Sequence, residues 1–264
     1  MDCGRAIAVD IGGFEFHYLS DDGELQAMLR DRYRNFLTTP RSPSATLVLE
    51  VAPQTLAPQA DLDVQAAGRS WRIARADFMA EWHPETRTAH VRQSLNPYST
   101  DSVTRIVCSF LLGAAPGFLL HASSLVWNGR AYVFCGPSGA GKTTMTRLAP
   151  EGARLLTDEI SCVRRVDGVW TAYGTPFAGE LSMSGEHISA PVAALFRLSH
   201  GDAHRIDALA GGDAIRAIMR NVLLFGHEPA SQARALDAVC AFTAAVPTAR
   251  LTFLPEPSVW AHVA

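Results

Sequence analysis

The sequence predicts an α/β fold in two parts, a small α+β unit over residues 1–100 and an α/β unit over 101–264. Three observations carry that expectation. Apolar residues alternate at Ile7-Val9-Ile11 and at Leu47-Leu49-Val51, as they do on strands with one buried face. Leu25, Met28, Leu29, Tyr33 and Phe36, and later Val103, Ile106, Val107, Phe110 and Leu111, recur at the three-and-four spacing of an amphipathic helix. Finally, the apolar run Ala131 to Cys135 leads directly into a glycine-rich turn and then a short helical stretch.

In chain order, Ile7 to Ile11 and a second arm through Phe14, Phe16 and Tyr18 predict a hairpin around Gly12-Gly13. Asp21-Asp22-Gly23 precedes the first helix, and the turn-rich Pro40-Arg41-Ser42-Pro43 separates it from the strand at Leu47 to Val51. Ala52 to Gly68, rich in Pro, Gln and Ala, reads as a loop. Trp71-Ile73, Phe78-Ala80-Trp82 and Ala89-Val91 read as antiparallel strands, with Trp71 and Trp82 taken as core rather than as a ligand platform. Asp101 or Ser102 is expected to cap the helix that ends at Gly113 to Gly117. Asn128-Gly129 between Phe118–Trp127 and Ala131–Cys135 is a hairpin signal. Beyond the glycine-rich turn, Met145, Leu148 and Ala149 make a short helix before Pro150, and Ala153 to Val163 reads as one strand. A strand at Val192 to Leu198, helices at about 213–225 and 231–246, and a strand at Arg250 to Pro255 complete the chain.

Composition excludes several classes. With 48% hydrophobic and 19% charged residues the chain can bury a core and does not read as disordered. A net charge of −3 lacks the basic excess of a dedicated nucleic-acid binder, so no nucleic-acid partner is expected. The five cysteines are scattered, odd in number and without a CxxC pair, which points away from a disulfide framework or zinc site and towards a reducing cytoplasm. No signal peptide is read at the start. The greasy stretch Ile106 to Leu120 is interrupted by Gly113, Pro116 and Gly117 and falls short of a span, so no membrane association is expected; a homo-oligomer is compatible with such a chain.

Lys142 is the single lysine in a chain that otherwise uses arginine for every cation. It stands in Gly136-Pro137-Ser138-Gly139-Ala140-Gly141-Lys142-Thr143-Thr144, a full match to G-x-x-x-x-G-K-[ST]. Glycines at 136, 139 and 141 permit a tight path that turns successive N–H groups inward as an anion nest, and the following helix start adds partial positive charge. A compact ammonium on a flexible stem suits phosphate oxygens where the larger guanidinium fork would not. The pattern therefore predicts a nucleotide site in which Lys142 bridges the β and γ phosphates and the Thr143 hydroxyl ligates Mg²⁺.

Asp158 and Glu159 follow only 16 residues after Lys142, inside Leu155-Leu156-Thr157-Asp158-Glu159-Ile160. Neighbours on an extended strand point to opposite faces, so the pair shares an orientation only where the strand ends or bulges. A carboxylate near Mg²⁺ and the γ-phosphate can orient an incoming hydroxyl and accept its proton. The bland alternative is a solvated acidic strand end. His121, at the end of Phe118-Leu119-Leu120, reads equally as a core histidine or a site residue.

Taken together, Leu120-His121-Ala122-Ser123, the hairpin, the loop from Gly136 to Thr144 and Leu155-Leu156-Thr157-Asp158-Glu159 resemble the catalytic domain of HPr kinase/phosphorylase and its smaller relatives, over roughly residues 118 to 200. The resemblance implies a P-loop core of the HPr kinase / phosphoenolpyruvate carboxykinase-like type behind a small N-terminal α+β domain. It further implies that His121 polarises the acceptor or the γ-phosphate, that Lys142 binds phosphate and Thr143 the metal, and that Asp158 is the catalytic base with Glu159 assisting at the metal. Glu180, in Tyr173-Gly174-Thr175-Pro176-Phe177-Ala178-Gly179-Glu180, stands for a later metal-binding glutamate of the family. The chain departs at Thr143-Thr144, where the bifunctional enzyme has Ser-Glu, and its Arg197, Arg205, Arg216 and Arg220 show no clear counterpart of the carrier-gripping arginine loop. It is therefore more similar to the stand-alone relatives, some of which phosphorylate a serine of a precursor peptide. The expectation is an ATP- and Mg²⁺-dependent kinase acting on a serine of a peptide or small protein. The alternatives are a small-molecule kinase, a carboxykinase-like enzyme, or a non-catalytic nucleotide-dependent binding or sensor protein.

Overall fold

The computed structural model describes residues 6–52, 61–178, 184–226 and 228–263. It is a mixed α/β protein whose described strands form a seven-stranded and an eight-stranded sheet. The chain divides into two compact units, Met1–Leu111 with Phe225–Glu228, and Leu112–Leu224 with Pro229–Ala264.

The first unit contains β1 (Ile7–Ile11), β2 (Phe14–Leu19), α1 (Gly23–Arg32), β3 (Ala45–Val51), β4 (Asp63–Ala67), β5 (Ser70–Arg75), β6 (Phe78–His83), β7 (Thr88–Gln93) and α2 (Pro97–Leu112). Its sheet runs in the order β1-β2-β3-β7-β6-β5-β4. The β1–β2 hairpin turns through Gly12 and Gly13, both at positive φ. β3 then enters parallel to both β2 and β7, while β4 to β7 form an antiparallel meander.

Two expectations are corrected here. The proposed loop Ala52 to Gly68 holds β4, whose mostly exposed residues pair with β5; an edge strand buries too little to leave an apolar pattern in the sequence. Residues 53–60 of that stretch lie outside the described residues. Asp101 is not a cap, because α2 starts at Pro97, a favoured first helical position, and the Asn96 side chain accepts from the Tyr98 N–H at 2.9 Å. Asp101 is instead 2% exposed, accepting from the Tyr33 hydroxyl at 2.6 Å and from Arg32 at 2.5 and 3.1 Å. Burial, reinforced by the Asp101 charge, pushes the Tyr33 hydroxyl well above the ordinary tyrosine range. Asp101→Ala leaves the partly buried Arg32 without its counter-charge, and a loss of about 3 kcal/mol in urea unfolding is expected. The two tryptophans do as core residues do: Trp82 is 2% exposed and Trp71 packs on Phe110 with ring centroids 4.7 Å apart.

The second unit contains β8 (Gly117–Trp127), β9 (Arg130–Cys135), α3 (Lys142–Arg147), β10 (Arg154–Thr157), β11 (Ile160–Val166), β12 (Val169–Tyr173), β13 (Ser189–His200), β14 (Arg205–Ala208), α4 (Gly211–Met219), α5 (Pro229–Ala245), β15 (Thr248–Phe253) and α6 (Trp260–Val263). Asn128 and Gly129, at φ 50° and 72°, make the two-residue turn of the β8–β9 hairpin. β9, β13 and β15 run parallel, and the remaining pairings are antiparallel.

Alternation along these strands makes two cores. Leu120, Ala122, Val133, Cys135 and Leu195 pack with Ile218 of α4 and Val239 and Phe242 of α5. On the opposite face Leu125, Phe134, Phe196, Leu251 and Phe253 pack with Met145 of α3 and Trp260 of α6. The glycine-rich turn and α3 therefore belong to one face of this sheet, α4 and α5 to the other.

Candidate active site

Three parallel strands end side by side, and the loop Gly136 to Gly141 leaves the end of β9 among them. In such sheets the carboxyl ends of the strands are where ligands bind. The loop path needs its glycines. Gly139 and Gly141 have φ of 76° and 100°, and a Cβ on Gly141 would lie 2.6 Å from Cζ of Phe253, the last residue of β15. His200, the last residue of β13, has Nε2 2.7 Å from the Gly139 carbonyl oxygen. Ala140 N–H donates to the Pro137 carbonyl at 3.1 Å, closing the turn internally. Gly141→Ala forces a left-handed backbone onto an L residue, at about 1–2 kcal/mol, and drives its methyl into the Phe253 ring. A lowered thermal midpoint is expected, with partial rescue by Phe253→Leu in the same chain.

Lys142 opens α3, and its Nζ donates to the carbonyls of Gly136 and Pro137 at 3.1 and 3.2 Å, so the ammonium lies over the loop. Pro137, Ser138 and Gly139 are exposed, whereas Lys142, Thr143 and Thr144 are half-buried. The Ser123 hydroxyl of β8 donates to the Lys142 carbonyl at 3.2 Å, which ties the start of α3 to the face of β8 that carries Ser123 and His121.

β9 pairs with β8 only as far as Cys135 opposite Ala122. The next stretch of that flank is taken by the segment after α4: His121 N–H donates to the Asn221 carbonyl at 2.7 Å and Leu223 N–H to that of Leu119 at 2.9 Å. The other flank of β8 meets β10 and β11. Thr157 is registered with Ser124 and Ile160 with His121, and the Ala122 N–H donates to the Glu159 carbonyl at 2.9 Å. Asp158 and Glu159 therefore sit in the chain across β8 from the end of β9.

The expected single strand Ala153 to Val163 is thus corrected to two strands that bend at Asp158-Glu159. Thr157 causes the break: its hydroxyl oxygen accepts from the N–H groups of Glu159 and Ile160, both at 3.2 Å, in place of ladder bonds. A neighbouring segment braces the bend, with Thr175 N–H donating to the Leu156 carbonyl at 3.0 Å and the Thr175 hydroxyl to that of Ile160 at 2.8 Å. Gly174 and Gly185 allow that approach, since a Cβ on either would lie 1.8 Å from a backbone oxygen. Asp158 is 4% exposed and Glu159 half-buried, so neither is a solvated strand end.

The structure thus gathers His121, the loop with Lys142 and Thr143, and the Asp158-Glu159 bend around one stretch of β8. Glu180 lies outside the described residues. Sequence reasoning missed Ser123, Thr157, Thr175, His200 and Phe253; only Thr157, a threonine directly before an acidic pair, carried a local turn signal. Thr143, Asp158 and Glu159 supply the oxygen donors that suit a hard cation such as Mg²⁺. Among the described residues no group of three or more His, Cys, Asp or Glu side chains is placed to hold a metal; Mg²⁺ at such a site usually takes one or two carboxylates together with phosphate oxygens and water. A cavity of about 660 Å³ opens at the other end of the parallel strands around Ala194, Ala208 and Thr248 and is lined by no ionisable side chain.

No helix of the described residues is long and apolar enough to cross a membrane. No protein-family model and no curated protein matches the chain. Among solved structures, the Hpr(Ser) kinase/phosphatase from Coxiella burnetii aligns with 46% of this chain and 86% of its own length, at 15% identity and a TM-score of 0.27, a likeness too slight to bear on fold or activity.

Proposed function

We propose that the chain is an ATP- and Mg²⁺-dependent kinase that transfers the γ-phosphoryl group to a hydroxyl, with a serine of a peptide or small protein as the favoured acceptor, acting in the cytoplasm. One observation supports this above the rest: Cys135 at the root of the glycine loop and Ile160 just past the acidic bend are registered on β8 with adjacent residues, Ala122 and His121. On this reading the two acidic residues lie beside an anion-binding loop.

In this reading Gly136, Pro137, Ser138, Gly139, Ala140, Gly141, Lys142, Thr143 and Thr144 hold the triphosphate. Lys142 exchanges its loop carbonyls for phosphate oxygens. Thr143 with Asp158 and Glu159 would hold Mg²⁺, which supplies charge neutralisation at the β and γ phosphates. Asp158 accepts the proton of the acceptor hydroxyl as its oxygen bonds to the γ-phosphorus; the bond from that phosphorus to the bridging oxygen breaks, and ADP departs with the electron pair. His121, on the α3 face of β8, orients the acceptor or a γ-phosphate oxygen. Glu180 is carried as a further metal-binding candidate, and residues 1–100 as a separate domain. The test is incubation with γ-labelled ATP, Mg²⁺ and a library of serine peptides. Label on peptide supports the kinase, whereas ATP binding with release of free phosphate alone, or with no turnover, leaves a nucleotide-dependent sensor.

A further inference from the structure

The parallel strands carry charges that the mechanism above does not use. Across their carboxyl ends Cys135 is registered with Arg197, Arg197 with Arg250, and Arg250 with Asp207 of the edge strand β14. Cross-strand partners project to the same side, here the face opposite α3, and like charges directly opposite destabilise a sheet. Both arginines are half-buried, and Nε of Arg250 is fully buried without a hydrogen-bond partner. Asp207, the carboxylate in the row, is engaged by Arg205 at 3.0 Å. Arg32, Arg75 and Arg154 each hold a carboxylate, but among the described residues Arg197 and Arg250 have no ion-pair partner. The row also adjoins the glycine loop. Burial pushes the Cys135 thiol up to about 12, against the opposing pull of the Arg197 and Lys142 charges, so both cations act on the residue that precedes Gly136.

We propose that Arg197 and Arg250 form an oxyanion-binding subsite at the root of the loop, on the face of the sheet opposite α3, which receives a carboxylate or phosphate group borne by the phosphoryl acceptor. A bidentate guanidinium pair matches such a group in geometry and charge, and its arrival relieves the repulsion between the two strands. The acceptor is then a hydroxyl compound or peptide whose anionic group stands two to three strand spacings, roughly 10–15 Å, from the hydroxyl. That identity rests on the kinase reading; the subsite itself does not.

The test is calorimetric titration of the full chain with inorganic phosphate and, separately, succinate, with and without saturating Mg²⁺ and a non-hydrolysable ATP analogue that fills the loop. With the loop filled, the expected result is binding of at least one anion, weakened tenfold or more by Arg197→Gln and by Arg250→Gln. Preference for phosphate or succinate separates the two sources. Should Arg250→Gln fail to fold, Arg250→Lys keeps the charge without the fork and is expected to weaken binding several-fold. With the loop filled by the analogue, phosphate should also raise the thermal midpoint of the parent chain further and raise that of Arg197→Gln distinctly less. No anion binding by the loop-filled chain, or binding undiminished in the variants, overturns the subsite. Failure of the analogue to bind instead sinks the kinase reading, and the titration without analogue still reads the arginines through their variants.

Discussion

Asp158→Asn is expected to cut phosphoryl transfer to the acceptor by about 100- to 10,000-fold, the usual worth of a positioned general base, while nucleotide binding measured without Mg²⁺ stays within a few-fold. The substitution preserves volume in a position only 4% exposed, so the bend at residues 158–159 should keep its shape. An amide, unlike a carboxylate, cannot take up the acceptor proton. Parallel assays of labelled transfer and of analogue binding check this. Transfer at the parent rate would remove Asp158 from the mechanism, and loss of both activities together would recast it as a residue of the binding site alone.

Lys142→Ala carries the second large effect. The ammonium is half-buried over the loop and donates to two of its carbonyls, so it is held near the place where phosphate oxygens would lie. A charged hydrogen bond is worth about 1.5–3 kcal/mol, which translates into a loss of roughly 10- to 150-fold in affinity for the triphosphate. Turnover should fall further, because charge grows on the leaving phosphates as the reaction proceeds. Lys142→Arg should also impair both, since the planar fork is larger than the ammonium the loop accommodates. Equilibrium binding of ATP, with near-ultraviolet dichroism as a check on folding, reads the result; a fully active arginine variant would contradict the role given to this side chain.

Local rules made much of the architecture readable. Asn128-Gly129 announced its hairpin because few residue pairs accept two positive φ angles in succession. Phe118 to Trp127 announced β8 because a strand buried on both faces is mostly apolar, here interrupted only by His121, Ser123 and Ser124. Elements set by distant partners were silent. Nothing in Leu47 to Val51 tells that β3 lies parallel between β2 and β7, since strand neighbours leave no trace in the alternation of one strand. The bend at Asp158-Glu159 depends on a threonine hydroxyl replacing ladder bonds, and Gly174 and Gly185 reveal their purpose only once the chain beside them is in place. The pairing of Arg197 with Arg250 likewise comes from register across a parallel crossover, which composition does not encode.

The contacts of His200 and Phe253 with the glycine loop have a thermodynamic consequence. Held from beneath by the tips of two strands, the loop has little conformational freedom left to surrender when an anion enters it. Binding there should thus involve a small ordering penalty, and trimming either tip should weaken the complex through entropy rather than through any lost contact with the ligand.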